Sequence, residues 1–294
     1  YLSHWGGQLY GEWLTLTGFV ASVALLNLGV QGYVGNGLIT HYVRGEIPAG
    51  TRLLQAALLL YSVLMAIAMA ATVAITLWPG LRTVLKISVI SSGDTRLIVA
   101  GQGVLVTYGL LGGLLMGLFR VIGKLPRQLC YGLGERVLFL GVPLSVAALG
   151  GTPAGATLLT VLAAVGFGLI GVTDACRRSP FAIGVREATP TEALSLVPPS
   201  LAFFGLSATS PLLTTGTVMI LANKGGGTAV ALFSTTLVLT NMVRMLVNQG
   251  TNVVWPEITA AAAAGNERLW EWHRLMQKLA GGLALGALLA LELI

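Results

Sequence analysis

Seven long apolar runs follow one another along this chain, and they constrain its fold more than any other feature. They occupy residues 13–40, 53–78, 97–119, 128–149, 154–173, 196–222 and 228–255, and an eighth begins near Leu275. A helix needs about 20 apolar residues to cross a bilayer. The runs exceed the roughly 10-residue strands of a membrane barrel, and they do not alternate apolar with polar residues. The sequence therefore predicts an all-α, polytopic transmembrane bundle, with about eight spans.

Composition supports lipid as the solvent. Hydrophobic residues make up 55% of the chain, charged residues make up 10%, and the mean hydropathy is +0.82. Soluble domains carry roughly 25% charged residues. The net charge of +6 lies in short loops without an aromatic-interleaved basic patch, which argues against a nucleic-acid partner. The isolated Cys130 and Cys176 and the scattered histidines predict free thiols and no metal or cofactor site.

The lysines and arginines predict an orientation. Of 17 basic residues, 12 follow the first, third, fifth and seventh runs, 4 lie in the alternate loops, and Arg244 lies inside a run. This bias places the 12 in the cytoplasm, so the first run passes from outside to inside.

No basic segment precedes a short apolar stretch at the start, and the chain ends within an apolar stretch. We expect a fragment without a cleavable signal peptide that lacks a first helix and the last helices.

A shift of 220 positions aligns two segments of the chain. Residues 7–13 fall on 227–233, and residues 44–46 fall on 264–266. Each copy consists of a turn, a long apolar run, and a small residue followed by Gly and a polar residue. Duplication predicts two pseudo-symmetric lobes, whereas chance matching of glycine-rich helix ends is the alternative. Repeats are common in transporters, which place the substrate at the repeat interface.

Several short motifs resemble one family of membrane transporters. They are Tyr10-Gly11-Glu12-Trp13, residues 26–30, Asn36, Arg44-Gly45-Glu46 and, in the second copy, Trp255-Pro256-Glu257-Ile258 with residues 264–266. This set resembles polysaccharide flippases of the Wzx type. They belong to the multidrug/oligosaccharidyl-lipid/polysaccharide exporter superfamily, which also contains the multidrug and toxin extrusion (MATE) antiporters.

The resemblance implies a MATE-like fold of two six-helix lobes around a cavity that opens alternately to each side. It divides this chain into an N-terminal lobe at 1–176 with helices 2–6, a cytoplasmic linker at 177–195, and a C-terminal lobe at 196–294 with helices 7–9. It also implies a prokaryotic cytoplasmic (inner or plasma) membrane protein. The implied partners are the lipid bilayer, an undecaprenyl-type lipid-linked glycan with an anionic head, and, for a coupled transporter, H⁺ or Na⁺.

Arg244 is the first candidate contact for such a substrate. It shares one helix face with Asn241, Asn248 and Asn252, at spacings that bring side chains together. A guanidinium in a partly dry cavity binds phosphate through two hydrogen bonds. The alternatives are pairing with another helix and extension of the side chain to the cytoplasmic surface.

A second set of candidates consists of amides in other runs. Asn27, Gln31 and Asn36 lie in the repeat-related run, and Gln102 lies in the third run. Such amides either contact substrate or form hydrogen bonds between helices. The stripe of Gly109, Gly113 and Gly117 predicts close helix packing.

The sequence leaves three functions open, and the cationic set favours the first. The first is flipping of a lipid-linked oligosaccharide or polysaccharide precursor, without enzymatic activity. The second is a cation-coupled multidrug antiporter, which needs a buried carboxylate, and none lies at the centre of residues 196–222 or 228–255. The third is a membrane-embedded glycan polymerase or ligase, for which the outward loops are short. A non-transporting assembly scaffold is a further alternative.

Overall fold

The computed structural model describes the backbone of residues 1–27, 29–265, 274, 277–278 and 281–282. The side chains of residues 25–26, 206–212, 215 and 238–254 lie outside the described residues. The chain is 85% helical, and the described part contains no strand. The predicted all-α class is confirmed.

Proline and hydroxyl residues fix where several helices begin. Pro48, Pro126 and Pro153 lie in first turns, where the missing N–H breaks no helical hydrogen bond, and Ser91 and Thr152 accept an N–H from the first turn of the helix that follows. The elements of the described part are, in chain order, α1 (Leu2–Ala21), a 3₁₀ segment (Ser22–Asn27), α2 (Val30–Val43), α3 (Ile47–Leu77), α4 (Leu81–Val84), α5 (Ser92–Met116), α6 (Leu118–Val121), α7 (Leu125–Ala148), α8 (Pro153–Arg178), α9 (Pro190–Ser195) and α10 (Val197–Ala263).

Four helical stretches of the described part are long and apolar enough to cross a membrane. Large apolar side chains point outward from them: Leu140 is 72% exposed and Leu162 is 71% exposed. A soluble surface would carry charged residues at such positions. The chain is therefore a helical membrane protein. The four stretches are Ile47–Leu77, Ser92–Val121, Leu125–Ala148 and Pro153–Arg178.

The largest buried cluster lies where α2, α3 and the α5–α6 segment meet. Tyr61, Leu54 and Phe119 are fully buried there. A second cluster joins α1 to α4 and α5 around Leu16. α7 packs on α8 at the edge of the bundle, and α1 and α2 pack against α10.

The run at 13–40 is not one helix, contrary to our expectation of a single span. α1 ends at Ala21, the 3₁₀ segment follows, and α2 begins at Val30. Gly29 has φ +72°, a left-handed conformation that interrupts the α-helix. A Cβ at Gly29 would lie 2.3 Å from the backbone nitrogen of Phe204, so glycine also permits the close approach of α10. The apolar content of the run gives no indication of this interruption between α1 and α2.

The runs at 196–222 and 228–255 lie on either side of a kink within the range of α10. Gly226 is non-helical there, with φ 70° and ψ −173°, so two helices meet at this residue. The predicted linker at 177–195 contains α9, which packs on α3. The eighth run, near Leu275, lies outside the described residues apart from isolated positions.

Two pairs of glycines share a backbone conformation at the predicted shift of 220 positions. Gly6 in α1 has φ 74° and ψ 167°, close to the values of Gly226 in α10. Gly45 has φ 72° and Gly265 has φ 70°. Gly6 and Gly45 bracket the first aligned segment, and Gly226 and Gly265 bracket the second.

Candidate functional site

The three amides predicted in the first run all reach other helices. The Asn27 Oδ1 accepts a hydrogen bond from the Tyr61 hydroxyl at 2.6 Å. The Gln31 side-chain amide donates to the carbonyl oxygen of Leu110 at 2.9 Å. The Asn36 Oδ1 accepts from the indole N–H of Trp255 at 3.1 Å. These contacts are interhelical hydrogen bonds, the alternative role for such amides, and Gln31 also lines a polar cleft.

Of the remaining predicted candidates, Gln102 does not line this cleft. Gln102 is half-buried on α5 and makes no side-chain hydrogen bond within the described part of the chain. The other four belong to the helical backbone of α10, and their side chains lie outside the described residues; they are Arg244, Asn241, Asn248 and Asn252.

The cleft has a volume of about 240 Å³ and lies between α2, the α5–α6 segment and the start of α7. Its volume is several times the roughly 30 Å³ share of one liquid water, enough for a phosphate-sized polar group. It lies toward the helix ends that the charge bias assigns to the cytoplasm. It is lined by Gln31, Gly32, Gly35, Leu38, Gly113, Leu114, Gly117, Arg120, Val121 and Gln128.

Arg120 is the only cation among these lining residues. Its guanidinium lies over Gly35, where a Cβ would approach the Nη2 to 2.7 Å. The Nε atom of Arg120 and the Oε1 of Gln128 are buried, and neither has a hydrogen-bond partner in the described part of the chain. Among the described residues no carboxylate forms an ion pair with Arg120. A buried charge without a partner raises the free energy of the folded protein. This arrangement therefore favours a ligand with an anionic group for Arg120 and a hydrogen-bond donor for Gln128.

The glycines on α5 make room for polar side chains. A Cβ at Gly113 would lie 2.5 Å from the Gln31 Nε2, and the Gly109 carbonyl accepts a hydrogen bond from Gln31. Gly117 lines the cleft. At Gly113 the neighbour is the Gln31 side chain of α2, so the missing Cβ allows close approach of a polar side chain from a neighbouring helix.

Glu12 lies near the middle of α1 and is only 2% exposed. Its carboxylate accepts hydrogen bonds from the backbone N–H groups of Ser88, Val89 and Ile90 at 3.0–3.1 Å. The Ser88 hydroxyl and the Gln8 amide also donate to it, at 2.8 Å and 3.0 Å. This carboxylate ties α1 to the loop before α5.

α1 and α10 meet closely beside Glu12. A Cβ at Gly11 would lie 1.7 Å from the carbonyl oxygen of Gly227, so the two backbones touch. Lys86 donates to the carbonyl oxygen of Asn223, which joins the same loop to α10. Backbone contact therefore holds the middle of α1 against α10.

Glu135 and Tyr108 form a second, half-buried polar contact. The Tyr108 hydroxyl donates to Glu135 Oε1 at 2.9 Å and joins α5 to α7. No group of three His, Cys, Asp or Glu side chains that could hold a metal ion occurs among the described residues.

Comparison with known proteins yields no relative. No protein-family model, no curated protein and no solved structure matches this chain. A function for the protein therefore rests on its sequence and on the geometry of its described residues.

Proposed function

We propose that this protein flips a lipid-linked oligosaccharide or polysaccharide precursor across the membrane by alternating access. The observation that carries the proposal is the guanidinium of Arg120, which faces a polar cleft inside an apolar bundle and has no carboxylate partner among the described residues. Ionisable groups within a membrane bundle usually mark a substrate or ion pathway.

The chemistry of such a substrate suits the cleft. A polyprenyl-linked glycan carries a pyrophosphate between an apolar tail and a sugar. A guanidinium can donate two parallel hydrogen bonds to phosphate oxygens. The Gln128 Oε1 can accept a hydrogen bond from a sugar hydroxyl, which supplies the donor that this buried oxygen lacks. The tail remains in lipid beside the exposed apolar faces of the bundle.

The arrangement of α1 and α10 supports alternating access. Gly11 and Gly227 hold α1 against α10 beside the loop that the charge bias assigns to the outside, whereas the Arg120 cleft lies toward the ends that it assigns to the cytoplasm. The 3₁₀ segment Ser22–Asn27 and the left-handed Gly29 lie between them, and such interruptions often mark hinges. Movement about this interruption would open one end while closing the other.

The antiporter alternative has weaker support from the buried acids. A cation-coupled antiporter needs a carboxylate that can exchange its cation. Among the described residues Glu12 is buried, but loop and helix donors occupy both of its oxygens. Glu135 accepts from Tyr108. These contacts favour structural roles for both carboxylates.

Replacement of Arg120 tests the proposal. We expect Arg120→Gln to lower the rate of glycolipid translocation by about 10–100-fold, because one charged hydrogen-bonding group is worth roughly 1.5–3 kcal/mol. Arg120→Lys should recover only part of the rate, because an ammonium cannot reproduce the planar fork. The measurement is translocation of a pyrophosphate-linked oligosaccharide lipid in vesicles that contain the purified protein.

Lys124→Gln is the matched control, because it removes the same charge four positions away at an exposed site. It should leave the rate within about twofold of the parent rate, as expected for an exposed surface charge. Equal rates for Arg120→Gln and the parent protein, at equal amounts in the membrane, would contradict the role of Arg120.

A further inference from the structure

A second cationic groove lies at the predicted cytoplasmic end, between the start of α7 and the end of α8. Its volume is about 470 Å³, and its polar lining includes Arg127, Tyr131, Asp174 and Arg177. Gln128 faces the Arg120 cleft, whereas its neighbour Arg127 lines this groove. The two sites therefore use different faces of α7.

One carboxylate organises the cations of the groove. Asp174 Oδ2 accepts from the Arg127 Nε at 2.8 Å and from the Tyr131 hydroxyl at 3.3 Å. Asp174 Oδ1 accepts from the Arg178 Nε at 2.7 Å. Each of these arginines uses its Nε for this contact, so the terminal nitrogens retain donor capacity for another acceptor.

The charge balance of the groove is positive. Arg177 lines it, is exposed, and forms no ion pair within the described part of the chain. Asp174 neutralises one of the three neighbouring guanidinium groups, so an excess of cationic charge remains. An anionic group complements this excess.

The remaining lining of the groove is apolar and faces outward. Leu169 is 52% exposed and Ile170 is 61% exposed. Leu169, Thr173 and Arg177 follow one another at four-residue intervals, so one face of α8 passes from apolar to cationic toward the helix end. The buried residues Gly168, Gly171 and Ala175 belong to the opposite face.

We infer that this groove binds an anionic phospholipid of the surrounding bilayer. The phosphate diester lies among Arg127 and Arg177, and an acyl chain follows Leu169 and Ile170 into the membrane. A soluble phosphate would complement the arginines but would leave the apolar half of the groove without a partner. Basic pockets between transmembrane helices on the cytoplasmic side are typical sites for anionic head groups.

Lipid binding to the purified full-length chain tests this inference. Native mass spectrometry and a shift in thermal unfolding would compare phosphatidylglycerol with phosphatidylcholine at equal acyl chains. We expect preferential retention of phosphatidylglycerol, and we expect Arg127→Gln/Arg177→Gln to weaken that binding about tenfold, because each basic residue near the surface contributes to head-group attraction. Arg177→Glu, which breaks no ion pair of the described residues, should weaken it too.

The control is Arg44→Gln/Arg186→Gln, which removes two exposed charges outside the groove. It should retain the preference for phosphatidylglycerol. Equal binding of both lipids, or an unchanged preference in the Arg127/Arg177 double variant, would overturn the inference. Complete displacement of the lipid by millimolar glycerol phosphate would also overturn it, because the site would then recognise a soluble phosphate. Glycolipid translocation is measured separately, so these outcomes do not depend on the Arg120 proposal.

Discussion

Glu12→Ala is expected to lower the free energy of unfolding by at least about 3 kcal/mol, because hydrogen bonds to a charged acceptor are worth roughly 1.5–3 kcal/mol each. The carboxylate accepts from Gln8, from the backbone and hydroxyl of Ser88, and from the backbone N–H groups of Val89 and Ile90. Removing it leaves these donors without their acceptor. Denaturant titration or thermal unfolding in detergent measures the loss.

The loop geometry explains why the effect should be large. Lys86 has φ 51°, and the following backbone turns three successive N–H groups toward one point. Such a concave set of N–H groups binds an anion, and here the anion is supplied by α1. Without the carboxylate the loop loses the contact that holds it against the helix.

Two variants separate the charge from its surroundings. Glu12→Gln keeps one acceptor oxygen but points an amide NH₂ toward backbone donors, so we expect an intermediate loss. Glu46→Gln changes a carboxylate that is 47% exposed and paired with His41, and it should alter stability by less than about 0.5 kcal/mol. Equal stability of Glu12→Ala and the Glu46→Gln control would show that the buried contacts contribute little.

Gly11→Ala is expected to separate α1 from α10 and to destabilise the protein by about 1–3 kcal/mol, as overpacking does. The new Cβ would lie 1.7 Å from the carbonyl oxygen of Gly227, which is backbone and cannot rotate away. Gly18→Ala is the matched control on the same helix, because its Cβ would meet Val218 at 4.0 Å. Since alanine favours helix over glycine, the control should be neutral or stabilising.

Cysteine cross-linking reports the same separation directly. A Cβ at Gly7 would lie 3.4 Å from the Thr228 Cγ2, so cysteines at these two positions are close enough for a disulfide. The background carries Cys130→Ser and Cys176→Ser, since both native thiols are free. Gly11→Ala should reduce the cross-linking rate, whereas Gly18→Ala should not. Unchanged cross-linking in Gly11→Ala would contradict the inference that the Gly11–Gly227 contact sets the distance between α1 and α10.

Four of the spans could be predicted from the sequence, because an apolar run of that length forms a transmembrane helix in a bilayer. α3, α5, α7 and α8 correspond to the runs at 53–78, 97–119, 128–149 and 154–173, with shifted ends. The 220-position shift also relates Gly6 to Gly226 and Gly45 to Gly265, which have similar positive φ angles. Hydropathy and local repetition are local properties of a chain, and they require no knowledge of its packing.

The interruption after Ala21 and the two most informative charges depend on distant parts of the chain. The α2 start requires Gly29 to meet the backbone of α10, which hydropathy cannot reveal. Glu12 finds its loop donors 76 or more positions away. Arg120 follows an apolar run like any cytoplasmic flanking arginine, and only the fold places it over Gly35. Gly35 and Arg120 are both visible in the sequence, but their spacing along the chain does not predict that they are in contact.

Translocation of a pyrophosphate-linked oligosaccharide lipid by the purified protein in vesicles is the decisive measurement of the proposed function. Three lipids would be compared: this substrate, the same glycan on an uncharged linkage, and a cationic amphiphile under an imposed proton gradient. We expect protein-dependent translocation of the anionic glycolipid alone, a loss of about 10–100-fold in Arg120→Gln, and an undiminished rate in Lys124→Gln. Arg244→Ala tests the sequence-derived candidate in the same assay. Equal translocation of the charged and uncharged glycolipids, or of the cationic amphiphile alone, would contradict the proposed function.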